Sequence, residues 1–159
     1  MNDTSKLTKY AINYLSKYST SKSNLERVLK NKIKRLQVEK KDKYLLYNSI
    51  EKIIIDLEKN NFINDLNYSS SKIRSFLFQG KSRIFIKSYL SQKGVHKEII
   101  SQTLDENDIQ NPDWELESAK IFCRKKRLNN DTDNKKKNLS KMARAGFNYA
   151  TSIKILNEL

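Results

Sequence analysis

The chain has 159 residues, 32 of them Lys or Arg against 18 Asp or Glu, for a formal net charge of +14. Three Gly and one Pro supply little of the punctuation that β-structure needs, so the chain is predicted to be mostly helical with short connections. One cysteine excludes an intramolecular disulfide, no apolar run reaches the roughly 18 residues of a membrane-spanning helix, and MNDTSKLTKY has no apolar signal region, which together predict a soluble cytoplasmic protein.

Only 37% of the residues are apolar and the mean hydropathy is −0.77. A single deep core is a poor fit to that composition. The prediction is an all-α, elongated array of three tandem three-helix, helix-turn-helix-like repeats, with units at 4–60, 61–107 and 112–159.

In the first unit, Thr4 or Ser5 can cap a helix whose stripe is Leu7, Tyr10, Ala11, Tyr14, Leu15 and Tyr18. The Ser/Thr-rich break at 19–23 favours a turn, and Ser23-x-x-Glu26 reads as a capping box for a second helix carrying Leu25, Val28, Leu29, Ile33 and Leu36. Residues 37–43 are charged and read as a frayed connection before a long third helix bearing Leu46, Ile50, Ile53, Ile54 and Leu57, which stops at Asn60-Asn61.

The second unit has the clearest punctuation. A helix over Asn67 to Phe78, with Ile73, Phe76 and Leu77 on one face, ends at Gln79-Gly80. Ser82 caps the next helix, where Phe85, Ile86, Tyr89 and Leu90 share a face up to Lys93-Gly94. Val95, Ile99, Ile100 and Leu104 mark the third. Asn107 to Pro112 is the predicted boundary. In the last unit a helix from about Asp113 points Leu116, Ala119, Phe122 and Cys123 inward, 129–134 is a polar loop, Leu139, Met142 and Ala143 face inward from the next helix, and Tyr149, Ala150, Ile153 and Leu156 form the last. Cations at Lys135, Lys136 and Lys137 oppose the macrodipole of the helix they open unless an anion lies there. The repeat rests on spacing: Leu25, Leu29 and Lys32 match Ile86, Leu90 and Lys93, Met142 and Gly146 match Leu90 and Gly94, and Leu156 follows Gly146 as Leu104 follows Gly94.

No catalytic constellation emerges. His96 and Cys123 are each single, so no Cys/His zinc site can be assembled, no phosphate loop or dinucleotide fingerprint exists, and neither cofactor nor enzymatic activity is expected. What remains is charge. Lys30, Lys32, Lys34 and Arg35 cluster in the first unit; Arg74, Lys81, Arg83, Lys87 and Lys93 in the second; Arg124, Lys125, Lys126, Arg127, Lys135, Lys136, Lys137, Lys141 and Arg144 in the third. Any one of them reads first as a solvated helix face. As a set on stacked repeats they are candidate contacts for a helical polyanion or an acidic groove. Tyr10, Tyr14, Phe76, Phe85, Tyr89 and Phe147 have core-facing spacing, so any base stacking is expected from the less committed Tyr44, Tyr47 and Tyr68 instead.

Asn61-Phe62-Ile63-Asn64-Asp65, Tyr68, Gln79-Gly80 and Tyr89-Leu90-x-x-Lys93-Gly94-Val95 together resemble the RecX family of bacterial recombination regulators. Tyr10-Ala11, Tyr14-Leu15, Leu25, Leu29 and Lys32 resemble that family's first unit, and Met142-Ala143-Arg144-Ala145-Gly146-Phe147 its C-terminal Leu-x-Arg-Arg-Gly-Phe. The departures are Asn61 in place of a usual Gly, Ser69 in place of a small Ala, and Ala145 in place of the second Arg. The resemblance implies a tandem three-helix repeat that binds the RecA recombinase filament, protein plus single-stranded DNA, and blocks its extension, ATP hydrolysis, strand exchange and stimulation of repressor cleavage. The residues add a basic, extended surface compatible with such a partner, acting as a monomer and without a membrane. A second reading has the same cations bind DNA directly, and a third makes the chain an adaptor for an unrelated acidic protein. Salt titration on naked DNA, with and without recombinase, separates the first two.

Overall fold

The computed structural model describes residues 3–159 and, among them, forms nine α-helices and one short 3-10 turn, with no strand. The helices are α1 (Asp3–Leu15), α2 (Lys22–Arg35), α3 (Lys40–Lys59), α4 (Asp65–Gln79), α5 (Arg83–Gln92), α6 (Lys97–Gln110), α7 (Trp114–Lys126), α8 (Lys135–Arg144) and α9 (Tyr149–Asn157). Met1 and Asn2 of the polar lead lie outside the described residues. No helix among the described residues is long and apolar enough to cross a membrane.

By compactness the chain falls into two units, Met1–Tyr68 with Lys93–Val95, and Ser69–Gln92 with His96–Leu159. The first is built on Leu7 and Ala11 of α1, Leu25, Leu29 and Ile33 of α2, and Leu46, Ile50, Ile53 and Leu57 of α3. In the second, Ala119, Cys123, Leu128, Met142, Phe147, Ile155 and Leu156 form one cluster, and Ile73, Phe76, Ile86, Leu90, Ile100 and Leu104 are also buried.

One helix ending recurs. After α3, α4, α7 and α8 a residue with positive φ follows the helix: Asn61 at 58°, Gly80 at 72°, Arg127 at 52° and Gly146 at 93°. In each case its N–H bonds the carbonyl three residues back, and the next N–H reaches five back, as in Phe62 to Leu57 and Phe147 to Met142. This is the Schellman pattern, which satisfies carbonyls that a helix end otherwise leaves orphaned. Asn61 takes the left-handed conformation usual for Gly, which a short polar side chain tolerates.

A second device also occurs twice. The Ser21 hydroxyl caps α2 by accepting from Asn24 N–H at 3.2 Å and donates to the Lys93 carbonyl, while Lys22 N–H bonds Asp65 Oδ1 at 2.8 Å. The Ser82 hydroxyl caps α5 by accepting from Phe85 N–H at 3.2 Å and donates to the Ala145 carbonyl at 2.7 Å, while Arg83 N–H bonds Glu115 Oε1 at 3.0 Å. Both serines are buried. Each carbonyl precedes a glycine pressed against the same corner. A Cβ at Gly94 would stand 2.4 Å from Ser23 Cβ, and one at Gly146 2.4 Å from Ser82 Oγ.

Several sequence expectations are corrected. Neither Thr4 nor Ser5 is a cap, since α1 already includes Asp3. Ser21 rather than Ser23 caps α2, and Glu26 pairs with Lys30 instead of closing a capping box. Helix α3 starts at Lys40, inside the supposed frayed connection, and α4 starts at Asp65 because the Asn64 side chain accepts from Asn67 N–H. Helix α6 runs through Asn107, which is buried, so the break comes at Asn111. In α8 Ala143 is exposed, and Asn138 is buried with Met142, donating to the Asn129 carbonyl at 3.0 Å. In α9 Tyr149 and Ala150 are exposed while Ser152, Ile155 and Leu156 face inward.

Two stability tests follow. Ser82→Ala removes a cap and orphans a carbonyl, and is expected to lower unfolding free energy by about 1–3 kcal/mol in urea titration. Ser69 is fully buried and its hydroxyl has no hydrogen-bond partner among the described residues, so Ser69→Ala is expected to raise stability by about 1 kcal/mol in the same assay.

Candidate functional site

In the first unit, Lys30 bonds Glu26, Lys32 Nζ lies 5.0 Å from the Tyr10 ring centroid, the Lys34 carbonyl accepts from Lys43 Nζ, and Arg35 ends α2 exposed. Lys93 belongs to this unit, half-buried beside the Ser21 clamp.

In the second unit the candidates divide by what neutralises them. Arg83 bonds Asp108, which also accepts from Trp114 Nε1 at 2.7 Å, and the Arg83 guanidinium lies 5.4 Å from the Trp114 ring centroid. Burial pushes the Asp108 carboxyl up, but the hydrogen bonds from Trp114 and Arg83, with the charges of Arg83 and Lys87, outweigh it and leave the group below its ordinary value. Arg83 is thereby engaged by Asp108, while Lys87 remains exposed and acts on that carboxyl only through its charge. Sequence reading did not anticipate this trio. Its only trace there is an Asp placed six residues before the one Trp.

The rest of this unit's cations are less constrained. Lys81 Nζ sits 4.5 Å from the Phe85 ring centroid, and Arg74 is exposed beside a groove of about 580 Å³ that Leu77, Phe78, Pro112 and Ile121 also line. Lys125 Nζ bonds the Gln79 carbonyl at 3.1 Å, which brings the helix-ending basic run of α7 against the turn that carries Lys81. Arg124, Lys126 and Arg127 are exposed at the end of α7. Lys135, Lys136 and Lys137 form the exposed first turn of α8, with Lys141 half-buried and Arg144 exposed on the same helix. Asp131 and Asp133 lie in and before the 3-10 turn Thr132–Asn134, where Asp131 Oδ1 accepts from Asp133 N–H.

The aromatics sort differently from the sequence expectation. Tyr68 is buried at 5% exposure, whereas Phe85 is 36% exposed and Tyr89 half-buried. Among the described residues no group of His, Cys, Asp and Glu is placed to hold a metal ion. Cys123 is buried against Met142 Sδ at 3.8 Å, and burial pushes its thiol pKa up, away from the reactive thiolate.

The described residues thus form an all-α protein of the class of small, basic helical proteins, whose helices meet through capped ends. Over 155 residues it is 29% identical to the regulatory protein RecX of Myxococcus xanthus, covering 92% of this chain and 82% of that one. A 60-residue segment is 40% identical to the regulatory protein RecX of Streptococcus sanguinis, 37% of this chain and 23% of that protein. The crystal structure of RecX from Lactobacillus salivarius matches with a TM-score of 0.75 at 26% identity, over 99% of this chain and 96% of that one. A second RecX crystal structure, 21% identical over 97% of this chain and 71% of that one, shares the fold with a TM-score of 0.71. No family model matches the chain. Over nearly its whole length the chain is thus similar to RecX proteins in sequence and in fold.

The Asp108 trio yields a pH test. A carboxylate whose folded pKa lies below its unfolded value adds stability that is present above the unfolded pKa and disappears as pH falls through the folded one. Asp108→Asn is therefore expected to be less stable than wild type by a constant margin above about pH 5, and that margin should close toward pH 2 in urea unfolding.

Proposed function

We propose that this chain is a regulator of the RecA recombinase that binds the RecA–DNA filament and inhibits its extension, ATP hydrolysis and strand exchange, in DNA repair and recombination. The observation that carries the reading is a match to RecX proteins across nearly all of this chain in both sequence and structure. The charge distribution supports it. Among the described residues Lys135, Lys136 and Lys137 make no ion pair, so they remain available to the acidic and phosphate groups of a nucleoprotein filament. The exposed ring of Phe78 and the apolar groove beside Arg74 add a surface suited to protein rather than to phosphate. A monomer made of three helix trios, at 4–60, 61–107 and 112–159, would offer several weak contacts in series along one filament. The twice-used serine clamp is what such a repeat predicts, since Ser21 with Lys93 and Ser82 with Ala145 perform one task at two places in the chain.

The direct test is ATP hydrolysis by the recombinase on single-stranded DNA with this protein added below stoichiometry, where a fall in rate is expected and an unchanged rate refutes the proposal. Reversing Lys135, Lys136 and Lys137 to Glu should raise the concentration for half-inhibition on the order of tenfold. The same reversal at Lys40, Lys41 and Lys43 should do less, and equal effects would refute the ranking.

A further inference from the structure

From Leu66 to Lys97 the chain carries seven Lys and Arg and not one Asp or Glu. Within that stretch α4 and α5 bring three aromatic rings together. Phe76, 7% exposed, stands edge-on to both Phe85 and Tyr89, with centroids 5.3 and 4.8 Å away and interplanar angles of 85° and 76°. Phe85 and Tyr89 are consequently held nearly parallel, 19° between planes and 6.5 Å between centroids. Each carries a cation: Lys81 Nζ is 4.5 Å from the Phe85 centroid and Lys72 Nζ 5.8 Å from that of Tyr89.

From this arrangement we infer that Phe85 and Tyr89, with Lys72 and Lys81 beside them, form a stacking site for single-stranded nucleic acid. Aromatic rings attract the flat faces of bases, and flanking lysines attract the phosphates that accompany them. A duplex hides its base faces within the helix, so it gains only the phosphate term. A cationic ligand, the other usual guest of an aromatic cluster, is repelled by the two ammonium groups already present. An apolar protein patch laid over the rings would have to strip water from the Lys81 ammonium without pairing it. Phe76 acts as a positioning residue, since its buried ring fixes the angle of the other two.

The site requires no recombinase, and its test contains none, so it stands or falls apart from filament inhibition. Fluorescence anisotropy with a labelled oligothymidylate, an abasic strand of equal length and a duplex of equal length measures the three affinities on the full chain. The single strand is expected to bind more tightly than the other two. Phe85→Leu, which keeps an apolar group on α5, should weaken oligothymidylate binding roughly five- to 150-fold, the range for removal of one base stack. Its dependence on salt should be unchanged. The double variant Lys72→Gln, Lys81→Gln should instead lower the slope of log affinity against log salt by about 1.4, because each phosphate neutralised on a single strand adds roughly 0.7. Tyr149→Leu, an exposed aromatic on α9, should change neither. The inference is overturned if wild type binds the abasic strand or the duplex as tightly as oligothymidylate, if it binds no oligothymidylate, or if Phe85→Leu with unaltered helicity by circular dichroism binds as wild type does.

Discussion

A helix that begins inside a protein has amide hydrogens that water cannot reach, and everything packed around it must answer for them. Helices α2 and α5 both begin this way. In each the chain sets a buried serine at the N-cap, lets its oxygen satisfy the third amide of the helix, and assigns the first amide to a carboxylate from a later helix, Asp65 or Glu115. The serine proton is then donated to the carbonyl just before a glycine much further on, at Lys93 or Ala145. Because the carboxylate sits at the positive end of the helix dipole, charge and hydrogen bonding act together. Three separate segments are fixed by one corner, and the glycines are there because a side chain would collide with it.

This arrangement explains how a chain so poor in apolar residues orders its helices. The cores are small, but helix ends are closed by local pairing, through Schellman turns on one side and serine caps on the other. Bonds of this kind specify position more sharply than apolar contact does, since an unpaired buried group is costly while a shifted methyl is not. The surface is left to solvated charge. Its net excess of Lys and Arg can then serve association rather than folding.

Much of the fold was legible because helix punctuation is local. Gly80, Gly94 and Gly146 end helices where spacing placed them, and Ser82 caps α5 as its position suggested. The misreadings arose where a distant segment decided. Ser23 fits a capping box as well as any local rule asks, yet Ser21 won because Lys93 and Asp65 meet the chain there. Asn138 displaced Ala143 from the inner face of α8 because the Asn129 carbonyl needed a donor. Arg127 adopts a left-handed turn although nothing in its side chain favours one. Of the candidate cations, sequence could name the residues but not their occupancy. Arg83 and Lys30 are engaged by acids, while the run from Lys135 to Lys137 is not, and only packing distinguishes them.

The clamp residues are separated by 72 positions in one case and 63 in the other. During synthesis the chain emerges from its N-terminus at roughly 5–20 residues per second, so α2 is made several seconds before the carbonyl that completes its first turn. Until Lys93 leaves the ribosome, the serine hydroxyl at the start of α2 must bond water instead. The nascent N-terminal helices are therefore ordered only provisionally, and the start of each clamped helix matures when a much later segment arrives to close it.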